Sequence, residues 1–170
     1  MFDAKVLEQD WEATAKGIQD ELIRIVTKDL RKKGVVLGVS GGIDSSCCLA
    51  LAAKAFGPKR VCAVLMPERD SSGKSESLAR NLCEAFGVEP IREDLTDALA
   101  AMGCYSRRDE AIRSVFPEYD ETYKQKIVLP QNLLETDRIN FFTVVIESPS
   151  GEQKSARLPL KAYLQVKIAI

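Results

Sequence analysis

Residues 35–39, Val-Val-Leu-Gly-Val, run straight into Ser40-Gly41-Gly42 and then into 43–56, a stretch of Cys, Leu and Ala that is apolar nearly all round. A short Val-rich run fits a strand buried on both faces of a parallel sheet, and the segment after the glycines fits a buried helix stopped by Gly57-Pro58. The pattern then repeats. Residues 61–66 predict a second strand, 76–86 a helix with Leu78, Leu82 and Phe86 on one face and Gly87 at its end, and 88–95 a third strand. Strands alternating with helices over short connections are the sequence form of a parallel sheet covered by helices. The fold class expected is α/β: a Rossmann-like parallel sheet with helices on both faces, plus a C-terminal β-hairpin insertion.

Ahead of this core, Ala15, Ile18, Leu22 and Ile25 step by three and four residues after Trp11. They mark an amphipathic helix ending near Gly34, after Lys32 and Lys33, whose charges suit a helix C-terminus. The character changes after Gly103. Residues 104–130 mix charge with scattered aromatics, and short helices are expected there. Arg107 and Arg108, followed by Asp109 and Glu110, read as a solvated charged loop, and Tyr105 and Trp11 as partly buried packing residues. Residues 141–147 and 153–160 flank the turn cluster Pro149-Ser150-Gly151 and predict the hairpin, with Pro159 ending its second strand. A further amphipathic pattern occupies 160–170. The organisation expected is a single domain over 1–170, with an α/β core at 1–103 and the charged segment, hairpin and start of another helix at 104–170.

Composition narrows the chemistry. The 170 residues include no histidine, which removes the Ser-His-Asp triad, the Cys-His pair and the HExxH zinc site within this polypeptide. With 24 Lys plus Arg against 25 Asp plus Glu, the molecule has no overall attraction for nucleic acid or an anionic membrane, and neither is expected as a partner. No apolar run approaches the roughly 20 residues of a spanning helix, and the first residues lack a signal-peptide pattern, so a cytoplasmic location is expected. Cys47, Cys48, Cys62, Cys83 and Cys104 lie mostly in apolar segments without a CxxC pair. Buried free thiols are the expectation.

The residues that carry chemistry are Gly38, Val39, Ser40, Gly41, Gly42, Ile43, Asp44, Ser45 and Ser46, where a buried strand hands over to a helix. In an open α/β sheet, ligands bind outside the carboxyl ends of the strands. Two glycines let backbone N–H groups approach an anion closely, and three serines add hydroxyl donors at the positive end of the following helix. Together these favour phosphate. Asp44 sharpens the reading, because a carboxylate in an anion cradle repels phosphate unless a cation lies between them. Mg²⁺, held by one carboxylate and by phosphate oxygens, removes that conflict. The GxxxxGK[ST] lysine is missing, so this is not the P-loop of γ-phosphate transfer. An ordinary glycine-rich turn with helix-capping residues is the plainer alternative.

Ser40-Gly41-Gly42-Ile43-Asp44-Ser45-Ser46 resembles the SGGxDS pyrophosphate loop of the ATP pyrophosphatases of the adenine-nucleotide α-hydrolase-like superfamily. Within that group Met66-Pro67-Glu68-Arg69-Asp70-Ser71-Ser72 is similar to the MPxxxSS segment of NAD synthetases. The resemblance implies a two-step amidation: ATP adenylates the nicotinate carboxylate of deamido-NAD, pyrophosphate departs, and ammonia displaces AMP to form NAD. It implies that residues 38–46 hold the ATP phosphates, with Ser40 and Ser45 as hydroxyl donors, Asp44 as Mg²⁺ ligand, and Met66 and Arg69 beside the adenosine. Ser40, Asp44 and Ser45 are the implied catalytic residues, ATP and Mg²⁺ the cofactors, and a homodimer the expected assembly. The family's synthetase domain is longer than this chain, which is expected to correspond to its N-terminal part, an apparently truncated ATP pyrophosphatase-type domain. Two other readings stay open: another SGGxDS enzyme, GMP synthetase-like or RNA-thiolating, and a non-catalytic ATP-binding fragment.

Overall fold

The computed structural model describes residues 8–128 and 143–167. The chain divides into two compact units, Met1–Thr96 and Asp97–Ile170. In the first unit α1, Trp11–Arg24, starts at the cap Asp10, whose carboxylate accepts the Ala13 N–H at 2.9 Å. Its last turn widens into a π-helical turn at Ile25–Asp29, and the helical path ends at Arg31, whose φ of 53° no helix can continue. That stop lies three residues before the expected end at Gly34. Trp11, expected to be partly buried, is 66% exposed because it occupies the first helical position, ahead of the stripe that packs.

Three parallel strands follow: β1 at Val35–Gly38, β2 at Val61–Leu65 and β3 at Pro90–Arg92, in the order β1-β2-β3. They are joined by α2, Ile43–Phe56, and α3, Gly73–Ala85. The α/β class read from the sequence is the class observed, a parallel sheet flanked by helices. Val61, Ala63 and Leu65 alternate inward along β2 and pack with Leu49, Ala52 and Ala53 of α2 and Ala79 and Cys83 of α3. Truncating the fully buried Leu49 to Ala costs about 3 kcal/mol at such a site.

Several local expectations change. Val36 is 74% exposed, so β1 is not buried on both faces. A continuous apolar run shows that a residue tolerates burial, not that a layer covers it. For the same reason α2 is buried along one stripe only: Ile43 is 82% exposed, and Cys47 and Cys48 are exposed too. On α3 the buried stripe is Ala79 and Cys83, with Leu78 turned outward at 47% exposure. Small side chains let the helix approach the sheet closely, and Leu78 would hold it away. Of the five cysteines, Cys83 and Cys104 are buried and Cys62 is intermediate. Burial pushes the Cys83 thiol pKa up.

At the boundary α4 spans Thr96–Ala101. The second unit comprises α5 at Cys104–Arg113, strands β4 at Lys124–Val128, β5 at Thr143–Glu147 and β6 at Gln153–Arg157, and α6 at Leu160–Lys167. The expected hairpin is β5-β6, closed by Ser148 N–H donating to the Glu152 carbonyl at 2.9 Å. Its expected first residues, Phe141 and Phe142, and the end of the last helix at 168–170, lie outside the described residues. Strand β4 pairs antiparallel with β5 and was not legible, because Lys-Gln-Lys-Ile-Val carries polar residues at most positions. The core of this unit gathers Ile112 and Phe116, Val144 and Ile146, and Ala162 and Val166. The solvated-loop expectation fails for Arg108 and Asp109: they are 4% and 6% exposed on α5. Arg108 Nε and Nη2 donate to Asp109 Oδ1 at 2.9 and 2.8 Å, and the guanidinium lies 5.5 Å from the ring centre of Tyr105. Arg107 and Glu110 are exposed as expected.

Candidate active site

The glycine loop connects β1 to α2 at the carboxyl end of the parallel sheet. Val39 N–H still donates to the Val64 carbonyl at 2.9 Å, so the loop leaves directly from sheet pairing. Ser40 N–H donates to Ser45 Oγ at 3.2 Å, the Ser40 and Ser45 hydroxyls lie 3.1 Å apart, and Gly42 N–H donates to Ser40 Oγ at 3.3 Å. The Ser45 and Ser46 hydroxyls both donate to the Gly42 carbonyl, at 3.1 and 2.8 Å. These bonds fold the serines back over the loop. Gly42 caps α2 without any side-chain acceptor, so the first N–H groups of the helix, from Ile43, Asp44 and Ser45, remain directed outward.

Gly41 has φ of 77°, and a Cβ there would lie 2.6 Å from the Ser75 carbonyl oxygen and 3.0 Å from Leu78 Cβ. The loop is therefore seated against α3 by backbone contact that only glycine permits. Gly38 has a related constraint, since a Cβ would meet Met66 Cε at 2.8 Å. α3 itself begins at Ser72, whose Oγ accepts the Ser75 N–H at 3.2 Å.

Between the loop, the end of β2 and the start of α3 lies a cavity of about 360 Å³, lined among others by Gly38, Val39, Ser40, Met66, Ser72 and Glu76. Four of the residues singled out in the sequence, Gly38, Val39, Ser40 and Met66, line it together. Gly41, Gly42, Ile43, Asp44, Ser45 and Ser46 form the adjoining loop and helix start. Arg69 is not in the lining; it is partly exposed and its Nε lies 3.2 Å from Asp70 Oδ1. Sequence reasoning missed Ser75 and Glu76 as wall residues, although Ser72 and Ser75, three apart before a helix, are a legible capping signal. Glu76 Oε1 accepts from Arg80 Nε and Nη2, at 3.1 and 2.7 Å, and from Arg92 Nε at 3.2 Å. The hydrogen bonds from Arg80, with the charges of Arg92 and Arg80, hold this carboxyl below the usual carboxylate range.

Asp44 is exposed in the first turn of α2 and makes no hydrogen bond or ion pair among the described residues. No group of three or more acidic or cysteine side chains that could hold a metal occurs among the described residues. A single uncommitted carboxylate fits Mg²⁺, which keeps several waters and takes substrate phosphate oxygens, rather than an ion needing an all-protein cage. No described helix is long and apolar enough to cross a membrane.

The family model for NAD synthase matches residues 15–118, which include the whole loop, the cavity wall and α3. The chain belongs to the NAD synthase family. Among relatives, it is 44% identical over 169 residues to the NH(3)-dependent NAD(+) synthetase of Rhizobium meliloti, covering 99% of this chain and 50% of that protein. It is 42% identical over 164 residues to the protein of the same description from Mesorhizobium japonicum, covering 96% of this chain and 51% of that one. Among solved structures, the NH3-dependent NAD synthetase from Campylobacter jejuni aligns with a TM-score of 0.51 at 28% identity, over 64% of this chain and 50% of that one. This member of the NAD synthase family thus spans about half the length of the curated relatives it matches.

Proposed function

We propose that the chain carries the ATP-binding part of an ammonia-dependent NAD synthetase. The observation that carries this is the cavity at the carboxyl ends of β1 and β2, bounded by a glycine loop whose helix start offers uncapped N–H groups. Membership of the NAD synthase family supports NAD synthesis over the GMP synthetase-like and RNA-thiolating alternatives. In this reading the adenosine enters the cavity against Met66 and the phosphates lie over Gly41, Gly42 and the start of α2. The Ser40, Ser45 and Ser46 hydroxyls, now bonded within the loop, turn to donate to phosphate oxygens. Arg69 reaches the adenosine once ATP is bound.

The reaction needs little covalent chemistry from the protein. A carboxylate oxygen of deamido-NAD attacks the α-phosphorus of ATP, the bond to the β-phosphate bridging oxygen breaks, and pyrophosphate leaves. Ammonia then attacks the acyl carbon and AMP departs with its oxygen, a proton passing to solvent. The loop's part is to hold the negative charge that builds on pyrophosphate, which oriented backbone and hydroxyl donors do without reorganising. Removing one such donor costs on the order of 100-fold in rate, and none of this requires imidazole. Asp44 would hold Mg²⁺, whose chemistry is to neutralise phosphate charge. The proposed organisation is one ATP pyrophosphatase-type domain, with the α/β core at 1–103 and the charged segment and hairpin at 104–170. It acts in the cytoplasm as a homodimer on ATP, deamido-NAD and ammonia.

Calorimetric titration with ATP tests this. Binding is expected to tighten when Mg²⁺ is present, and Asp44→Ala is expected to lose that tightening while leaving the weaker metal-free binding in place. No ATP binding, or equal Mg²⁺ enhancement in Asp44→Ala, would refute the assignment.

A further inference from the structure

One face of the parallel sheet is apolar and open. The register sets Val36 beside Cys62 and Val64 beside Ile91. Alternation along each strand puts these four side chains on the face turned away from Leu49, Ala53 and Cys83. Val36 is 74% exposed and Ile91 49%, while Cys62 and Val64 are half-buried. Strands of this composition belong to sheets covered on both sides, yet among the described residues nothing covers this one.

The edge of the sheet has the same character. The order β1-β2-β3 leaves β1 outermost, although β1 feeds the glycine loop. In open α/β sheets the ligand crevice lies where the strand order reverses, so a crevice at this loop calls for another parallel strand on the open side of β1. The matched lengths say where such a strand is found: the chain accounts for 50% and 51% of the Rhizobium and Mesorhizobium relatives.

We infer that the Val36, Cys62, Val64 and Ile91 face, with the free edge of β1, docks a polypeptide equivalent to the half of those relatives that this chain does not match. That half adds a parallel strand at β1 and lays an apolar layer over the face. A second copy of the chain does not meet both demands, because a two-fold axis beside β1 pairs the two β1 edges antiparallel. The inference rests on the sheet and the matched lengths, and stands whether or not ATP is the ligand.

The test co-expresses the 170-residue chain with the unmatched half of the Rhizobium meliloti relative, tagged on that half. Expected are one-to-one co-purification and a slowing of Cys62 alkylation of about tenfold or more, as for a site that reacts only on local opening. Cys47 and Cys48 on α2 keep their reactivity. Val36→Asp and Ile91→Asp, both at exposed positions, are expected to abolish co-purification and Cys62 protection with the chain's circular dichroism unchanged. Failure of the unaltered pair to co-purify overturns the proposal. So does retained Cys62 protection in Val36→Asp, or protection of Cys62 that appears in the chain alone as its concentration rises.

Discussion

Gly41 shows how a single residue joins sequence to site. Its φ of 77° costs an alanine about 1–2 kcal/mol, and the added methyl would also press on the Ser75 carbonyl at 2.6 Å. Gly41→Ala is expected to push the loop off α3, lowering stability by about 2 kcal/mol or more in urea unfolding and weakening ATP binding in calorimetry. Asp44 is the opposite kind of residue, exposed and uncommitted, so replacing it changes metal-assisted binding and not folding. Arg108 is a third kind. Its partner Asp109 is buried with it, and Arg108→Leu leaves a buried charge alone, at an expected cost of about 3–5 kcal/mol. The double replacement of Arg108 and Asp109 by Leu is expected to recover most of that loss, measured by urea unfolding. Adjacent opposite charges in a sequence look like any solvated pair, and only the fold turns one helix face inward.

At the scale of elements, exposed carboxylates tie neighbours together. Glu76 of α3 is bound by Arg80 and by Arg92 of β3. Glu147 of β5 accepts from Gln153 of β6 at 2.6 Å and from Lys124 of β4 at 3.3 Å. The Gln153 hydrogen bond first, and Lys124 second, lower the Glu147 pKa, and Lys154 does the same for Glu118. A carboxyl lowered in the folded state stabilises above its unfolded pKa of about 4.3 and loses that contribution as pH falls through the folded value. The thermal midpoint is therefore expected to be flat from about pH 5 upward and to fall below about pH 4. Because the groups are exposed, the fall should be modest and shrink in salt. Glu147→Gln should make it shallower. A midpoint that rises on acidification would contradict this. The helices of the first unit were legible because 3.6-residue spacing and the signals at Gly57 and Gly87 are local. The buried stripe of α3 was misjudged by one position, since periodicity sets a stripe's spacing and not which neighbour fits the sheet.

For the whole molecule, every residue of the loop and of the cavity wall lies between 38 and 76, inside the first compact unit. Residues 1–96 alone are therefore expected to bind ATP about as tightly as the full chain; a calorimetric loss of more than about tenfold, or 1.4 kcal/mol, would show that the second unit contributes to the site. The sequence by itself determined the α/β class, the order of strand, loop and helix, and the loop that marks the family. Each follows from contacts within a few residues: alternating polarity, glycine at a position of positive φ, and serines beside a helix start. Only the tertiary structure decided that Ser75 and Glu76 wall the cavity, that Arg108 and Asp109 are buried, and that Val36 and Ile91 are not. Burial depends on which surfaces distant segments bring together, and an apolar side chain records a tolerance for being covered without naming its cover.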